Sequence, residues 1–180
     1  PTHWQHQSMP PEYRDRISVI FDGVDTAAVS PSAGARLDVG NGITLDATAE
    51  VITFVNRNLE PYRGYHVFMR ALPRLLAARP RAHVVIIGGD GVSYGPSLPE
   101  GESYKQRYLD EERDSIDESR VHFLGRVPYA RYLDVLRISS AHVYLTYPFV
   151  LSWSMIEAMS AGCAVVASAT PPVQEVIRDG

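Results

Sequence analysis

The sequence has one cysteine, Cys163, and one lysine, Lys105. A lone thiol excludes an internal disulfide framework and fits a reducing compartment. The single lysine shows no sign of a cofactor-anchoring site, so no cofactor is expected. No apolar run reaches the eighteen or so residues of a membrane helix, and the first residues lack the charged and apolar regions of a signal peptide. The expectation is a soluble, cytoplasmic chain with no transmembrane segment. Basic excess is lacking too: 17 Lys and Arg stand against 21 Asp and Glu, a formal charge of −4. That leaves no basic field for nucleic acid. Metal spacing is also missing. His3 and His6 lie close together, but no cysteine or second spaced pair completes a site. His66, His83, His122 and His142 read as structural. No metal is expected.

What is present is a core-forming composition, 45% hydrophobic over 180 residues, enough for one domain or one domain with pieces of another. Ile17 to Phe21 reads as a strand and Ala27 to Gly34 as a linker. Arg36 to Asp46 reads as a hairpin around Gly40, Asn41 and Gly42. From Val51 the alternation is regular. Strands are predicted at 51–56, 83–87, 121–124, 141–145 and 163–167. Helices are predicted at about 64–78, 103–113, 129–138 and 153–161, with a last one from about 172. This pattern gives an α/β class, a Rossmann-like parallel sheet with helices on both faces. Such sheets bind ligands beyond the carboxyl ends of their strands, at the switch point.

The most telling segment is SWSMIEAMSAGCAVVAS, Ser152 to Ser168. It places one carboxylate, Glu157, in a small and apolar helix with Ser152 as N-cap and Gly162 at its end. Cys163 to Ala167 then reads as a parallel strand covered on both faces. Glu157 is open to two readings: a solvated surface residue, or an acceptor for a ligand's vicinal diol. The free N–H groups around Ser152 and Trp153 can hold an anion. Arg57 and Arg63, flanking the loop after the first strand of the repeat, are either exposed surface residues or two forks closing on one anion. Gly88, Gly89 and Gly91 form a weak signal, a close-approach loop or a bare turn. Gly125, Arg126, Val127 and Pro128 offer backbone to a flat base or merely turn the chain. Together the loops supply phosphate groups, a base platform and a diol acceptor, the parts of a nucleoside diphosphate.

The run VNRNLEPYRG, then FLGRVP, then SMIEAMSAGCAVVAS followed by Glu175, resembles the donor-binding half of the family 4 retaining glycosyltransferases (GT-B architecture, glycosyl transferases group 1). The resemblance covers about residues 51–180. It implies a nucleotide-sugar-binding Rossmann-like domain there, truncated at its C-terminus, with residues 1–30 as the end of an acceptor domain and crossover, and 31–50 as linker or hairpin. The missing N-terminal acceptor domain would choose the acceptor, whether glycan, lipid or small molecule. The resemblance further implies catalytic roles for Arg57 and Arg63 on the donor diphosphate. Glu157 would take the ribose hydroxyls, Ser152 and Trp153 the phosphates and sugar, and Arg126 and Val127 the base. Phe149 stands where the family has its first, sugar-binding glutamate. Glu175 matches a recurrent family position, although a helix-start carboxylate stabilised by the dipole explains it equally.

The implied activity is metal-independent transfer of a sugar from a nucleotide diphosphate sugar to a hydroxyl with retention, in the hexosyltransferase class, with this piece alone inactive. Two alternatives stand beside it, a noncatalytic nucleotide-binding module and a nucleotide sugar epimerase of the same architecture. A dinucleotide oxidoreductase is disfavoured, because its glycine fingerprint should follow the first strand of the repeat, where Arg57 stands.

Overall fold

The structure is a computed structural model that describes residues 2–179. Two short helices, α1 (His3–Ser8) and α2 (Pro11–Arg14), precede a hairpin of β1 (Arg36–Gly40) and β2 (Ile43–Asp46). The α/β repeat then runs β3 (Val51–Asn58), α3 (Tyr65–Ala78), β4 (His83–Gly89), α4 (Tyr104–Glu112), β5 (Val121–Gly125) and α5 (Tyr129–Arg137). It closes with β6 (Ala141–Tyr144), α6 (Trp153–Ser160), β7 (Ala164–Ala167) and α7 (Pro171–Gln174). All five strands of the repeat form one parallel sheet in the order β5-β4-β3-β6-β7.

That order creates the crevice. The chain leaves β3 toward β4 on one side, and later returns to β6 on the other. The loops after β3 and β6 therefore diverge from neighbouring strands, which is the switch point where open α/β sheets bind ligands. The strand β3 is apolar on both faces because both are covered. Ile52 and Phe54 pack with Phe68, Met69 and Leu72 of α3, and the Phe54 and Phe68 rings stack at 4.5 Å. Val51 and Val55 face Leu37 and Leu45 of the hairpin and Val135 of α5. The hairpin turn has positive φ at Gly40, Asn41 and Gly42, the conformation its Asn-Gly sequence favours.

Three expectations change. Ile17 to Phe21 forms no strand. It has no ladder partner among the described residues, and Ile20 is exposed. The stretch read as a linker is pinned through Val29, which is buried with Leu133, Leu136 and Ala158. The strand β7 is not covered on both faces. It lies at the sheet edge, and the face that carries Val166 is exposed.

Glu175 also changes meaning. It follows α7 as its C-cap, and its two oxygens accept from the backbone N–H of His3 and Trp4 at 2.7 and 2.6 Å. The dipole it serves is that of α1, whose first turn has no acidic residue of its own.

Two positions test the interior. Gly64 has φ +71°, and a Cβ there would lie 2.2 Å from the Leu145 Cβ. Gly64→Ala is expected to cost about 2 kcal/mol or more, from the left-handed backbone and the clash together, read as a fall in the urea midpoint. His142, fully buried on β6, bonds the Thr53 hydroxyl at 2.9 Å, and burial lowers its pKa to about 4. An unfolded chain takes up this proton near pH 6.5 whereas the folded one resists until about pH 4. The stability this neutral ring contributes is intact above pH 6.5 and falls as the pH drops, by up to about 3 kcal/mol near pH 4. Urea melts from pH 7 to 4.5 are expected to show this decline, and His142→Asn to flatten it.

Candidate functional site

At the carboxyl edge of the sheet a cavity of about 430 Å³ is lined by Asn56, Arg57, Ile87, Gly88, Arg126, Val127, Tyr129 and Tyr132. It opens between the ends of β3 and β4 and the loop leading into α5. Arg57 is the seventh residue of β3, one residue beyond the predicted strand end, and is exposed. Arg126 donates to the Asn58 side-chain oxygen at 3.2 Å, and Asn58 in turn donates to the Ser93 hydroxyl at 2.8 Å. The glycines of β4 let these loops meet. A Cβ on Gly89 would sit 2.8 Å from Asn58 Oδ1 and from Arg126 Nε, and Leu59 N–H donates to the Gly89 carbonyl at 2.9 Å. The Gly88–Gly91 run thus serves close approach of neighbouring protein loops, with Gly88 also on the cavity wall.

Arg63 is not among the residues lining that cavity. It ends the 3₁₀ turn Pro61–Arg63, just before Gly64. Its guanidinium carbon lies 5.1 Å from the ring centres of both Tyr94 and Phe149. Its Nη1 is buried with no hydrogen-bond partner among the described residues. Neither Arg57, Arg63 nor Arg126 forms an ion pair among the described residues. The guanidiniums at the sheet's carboxyl edge therefore keep uncompensated charge.

Glu157 is not a surface residue. It is 7% exposed, and its oxygens accept from the Tyr129 hydroxyl at 2.7 Å and the Tyr132 hydroxyl at 2.6 Å. Helix α6 keeps its charge because α5 presents two phenols to it, one turn apart. Burial and the bond to Glu157 push the Tyr132 pKa up, and the bond to Glu157 raises that of Tyr129, so both remain donors. A carboxylate offers about four lone-pair sites, so about two remain for a diol. Glu157 also borders a cavity of about 150 Å³ with Trp153, Tyr129 and Asp25.

The N-terminus of α6 is only partly available. Ser152 caps it by accepting from Ser154 N–H, and Ser152 N–H itself donates to the Tyr144 hydroxyl at 3.0 Å. Trp153 N–H has no acceptor among the described residues, and the indole is 65% exposed. Tyr144 links this helix start to Arg63. Burial raises the phenol's pKa, while the bond from Ser152 and the nearby Arg63 charge pull the other way.

Glu60, by contrast, was invisible in the sequence. It is fully buried, and its carboxylate accepts from Ser93, Tyr94 and Gly95 N–H at 3.0–3.2 Å. No local pattern announces such a contact between loops. Tyr129 and Tyr132 left a faint signal, two phenols at helical spacing after FLGRVP. Among the described residues no group of His, Cys, Asp and Glu is placed to hold a metal ion, and no helix is long and apolar enough to cross a membrane.

Known proteins share this fold. Residues 41–180 match the model of the family "Glycosyl transferases group 1", and residues 1–29 match "Glycosyl transferase family 4 group". The D-inositol 3-phosphate glycosyltransferase of Corynebacterium efficiens is 28% identical over 92% of this chain and 38% of its own length. The phosphatidyl-myo-inositol mannosyltransferase of Mycolicibacterium smegmatis is 33% identical over 72% of this chain and 30% of its own. The chain thus spans about a third of the length of these relatives. Among solved structures, the C-terminal domain of a glycosyl transferase group 1 family protein from Francisella tularensis superposes with a TM-score of 0.66 at 18% identity, covering 87% of this chain and 76% of that one. Sucrose-phosphate synthase of Thermosynechococcus elongatus gives 0.64 at 23% identity, covering 87% and 36%. Through the stretch that carries Arg57, Arg63, Arg126 and Glu157, this chain belongs to the glycosyl transferases group 1 family.

Proposed function

We propose that this chain is the donor-binding part of a glycosyltransferase that moves a sugar from a nucleoside diphosphate sugar to a hydroxyl acceptor with retention of configuration. The observation that carries the reading is the set of guanidiniums without ion pairs at the carboxyl edge of the sheet, with Arg57 and Arg126 on the wall of the 430 Å³ cavity and Arg63 on the loop after β3. A cavity of that size accommodates a nucleoside. Val127 and Arg126 would meet the base, Glu157 the ribose hydroxyls, and Arg57 and Arg63 the two phosphates. The free N–H of Trp153 would add a donor at the phosphate end.

In the reaction the bond between the anomeric carbon and the diphosphate oxygen breaks, the acceptor oxygen bonds to that carbon and yields its proton to the diphosphate, and negative charge gathers on the departing diphosphate. Arginines fixed beforehand stabilise that charge more strongly as it develops than in the bound donor, which lowers the barrier. The two relatives named above carry inositol 3-phosphate and phosphatidyl-myo-inositol in their names, which makes inositol hydroxyls the first acceptors to assay with the full-length protein. Phe149 favours a second reading, nucleotide binding without transfer, because no carboxylate stands at that place. Turnover of a nucleotide sugar decides between the two.

Two outcomes test the donor site by calorimetry. Arg57→Ala and Arg63→Ala should each weaken a nucleoside diphosphate by roughly tenfold or more, as expected for a charge-assisted bond, and leave the nucleoside unchanged. Equal losses for both ligands would refute the diphosphate assignment. Glu157→Gln should weaken ribonucleotides over their 2′,3′-dideoxy analogues by about 1.5 to 3 kcal/mol, since a charged acceptor is lost. The same loss for both sugars would return Glu157 to a purely structural tie between α5 and α6.

A further inference from the structure

Three loops from the carboxyl edge bring four aromatic rings together, two of them against Arg63. Tyr62 comes from the loop after β3, Tyr94 from the loop after β4, and Tyr147 and Phe149 from the loop after β6. The Tyr94 and Phe149 rings meet at 4.8 Å with 61° between their planes, so they form an open corner. The guanidinium carbon of Arg63 sits in that corner, 5.1 Å from each ring centre. Tyr62 braces the corner from behind, edge-on to Phe149 at 5.3 Å and to Tyr147 at 5.5 Å.

We infer that Phe149 and Tyr94 are positioning residues for Arg63, holding its cation by ring faces so that its N–H edge stays free for the second phosphate of the donor, and that Glu60 seats Tyr94 for this task. The inference rests on the proposed diphosphate role of Arg63. An aromatic face attracts a cation through its quadrupole and uses up none of its hydrogen-bond donors. A carboxylate in the same place would take those donors and cancel the charge. The Nη1 of Arg63 is buried with no hydrogen-bond partner among the described residues, so ring packing and not a polar group holds that side of the guanidinium, and its other N–H groups are the ones left for the phosphate. Loops are mobile by default, so the corner needs an anchor. The anchor is Glu60, whose buried carboxylate gathers the N–H groups of Ser93, Tyr94 and Gly95, while Asn58 holds the Ser93 hydroxyl. A charge with three backbone donors is well satisfied without any arginine, so it fixes the loop and leaves Arg63 unneutralised.

The test compares whichever of UDP, GDP and ADP the chain binds most tightly with its own monophosphate, by calorimetry. Phe149→Leu keeps bulk and removes the ring face. It should weaken the diphosphate on the order of fivefold, the worth of one cation–π contact, and leave the monophosphate unchanged. Phe149→Tyr should restore the diphosphate, and Phe149→Glu should lose more of it than Phe149→Leu. Glu60→Gln should shift the ratio of diphosphate to monophosphate affinity in the same direction. If Phe149→Leu does not fold, Tyr94→Leu carries the same expectation. Diphosphate affinity within twofold of the unaltered chain, or equal loss of both ligands, overturns the clamp. Arg63→Ala separates the two levels. A loss there with a neutral Phe149→Leu sinks the clamp alone, whereas no loss there, or no binding of any of the three diphosphates, sinks the parent reading as well.

Discussion

The structure turns on the contact between Gly64 and Leu145, where the loops after β3 and β6 press together. Only a residue without Cβ fits this left-handed position against a neighbouring side chain. The contact sets where α3 begins and fixes the direction in which Arg63, one residue earlier, leaves the chain. A longer bond from Tyr147 N–H to the Tyr62 carbonyl, 3.4 Å, joins the same two loops. The ring cluster exists because these loops are clasped here, at adjacent strands whose connections run opposite ways.

A second regularity concerns charge. Two buried glutamates lie beside three unpaired arginines, yet neither glutamate reaches an arginine. Glu60 is hydrogen-bonded by backbone N–H groups and Glu157 by two phenols. Pairing either with Arg57 or Arg63 would satisfy both groups and erase the positive edge. Neutral donors let the carboxylates organise the loops without occupying the donors of the guanidiniums.

The sheet was legible because its signals are local. Short apolar strands, helical spacing and the Asn41-Gly42 turn each act within a few residues, and the order of elements then determines where the crevice lies. Arg57, Arg63 and Glu157 could be named from their places in that order. What stayed hidden depends on distant partners. Glu60 gives no hint that it bonds residues 33 to 35 positions away. Phe149 looked only like a missing carboxylate, and its contact with Arg63 emerges from the packing of loops far apart in sequence. Ile17 to Phe21 misled for the converse reason, since β propensity forms no strand without a ladder to join.

The bidentate cap by Glu175 on the first turn of α1 joins residues 172 positions apart. Every strand of the sheet lies within that span. Because α1 and α7 are each short and each leans on the same carboxylate, neither has much local stability of its own. They should open as one cooperative unit in amide exchange, earlier than the sheet and with matching protection, although nearly the whole sequence lies between them.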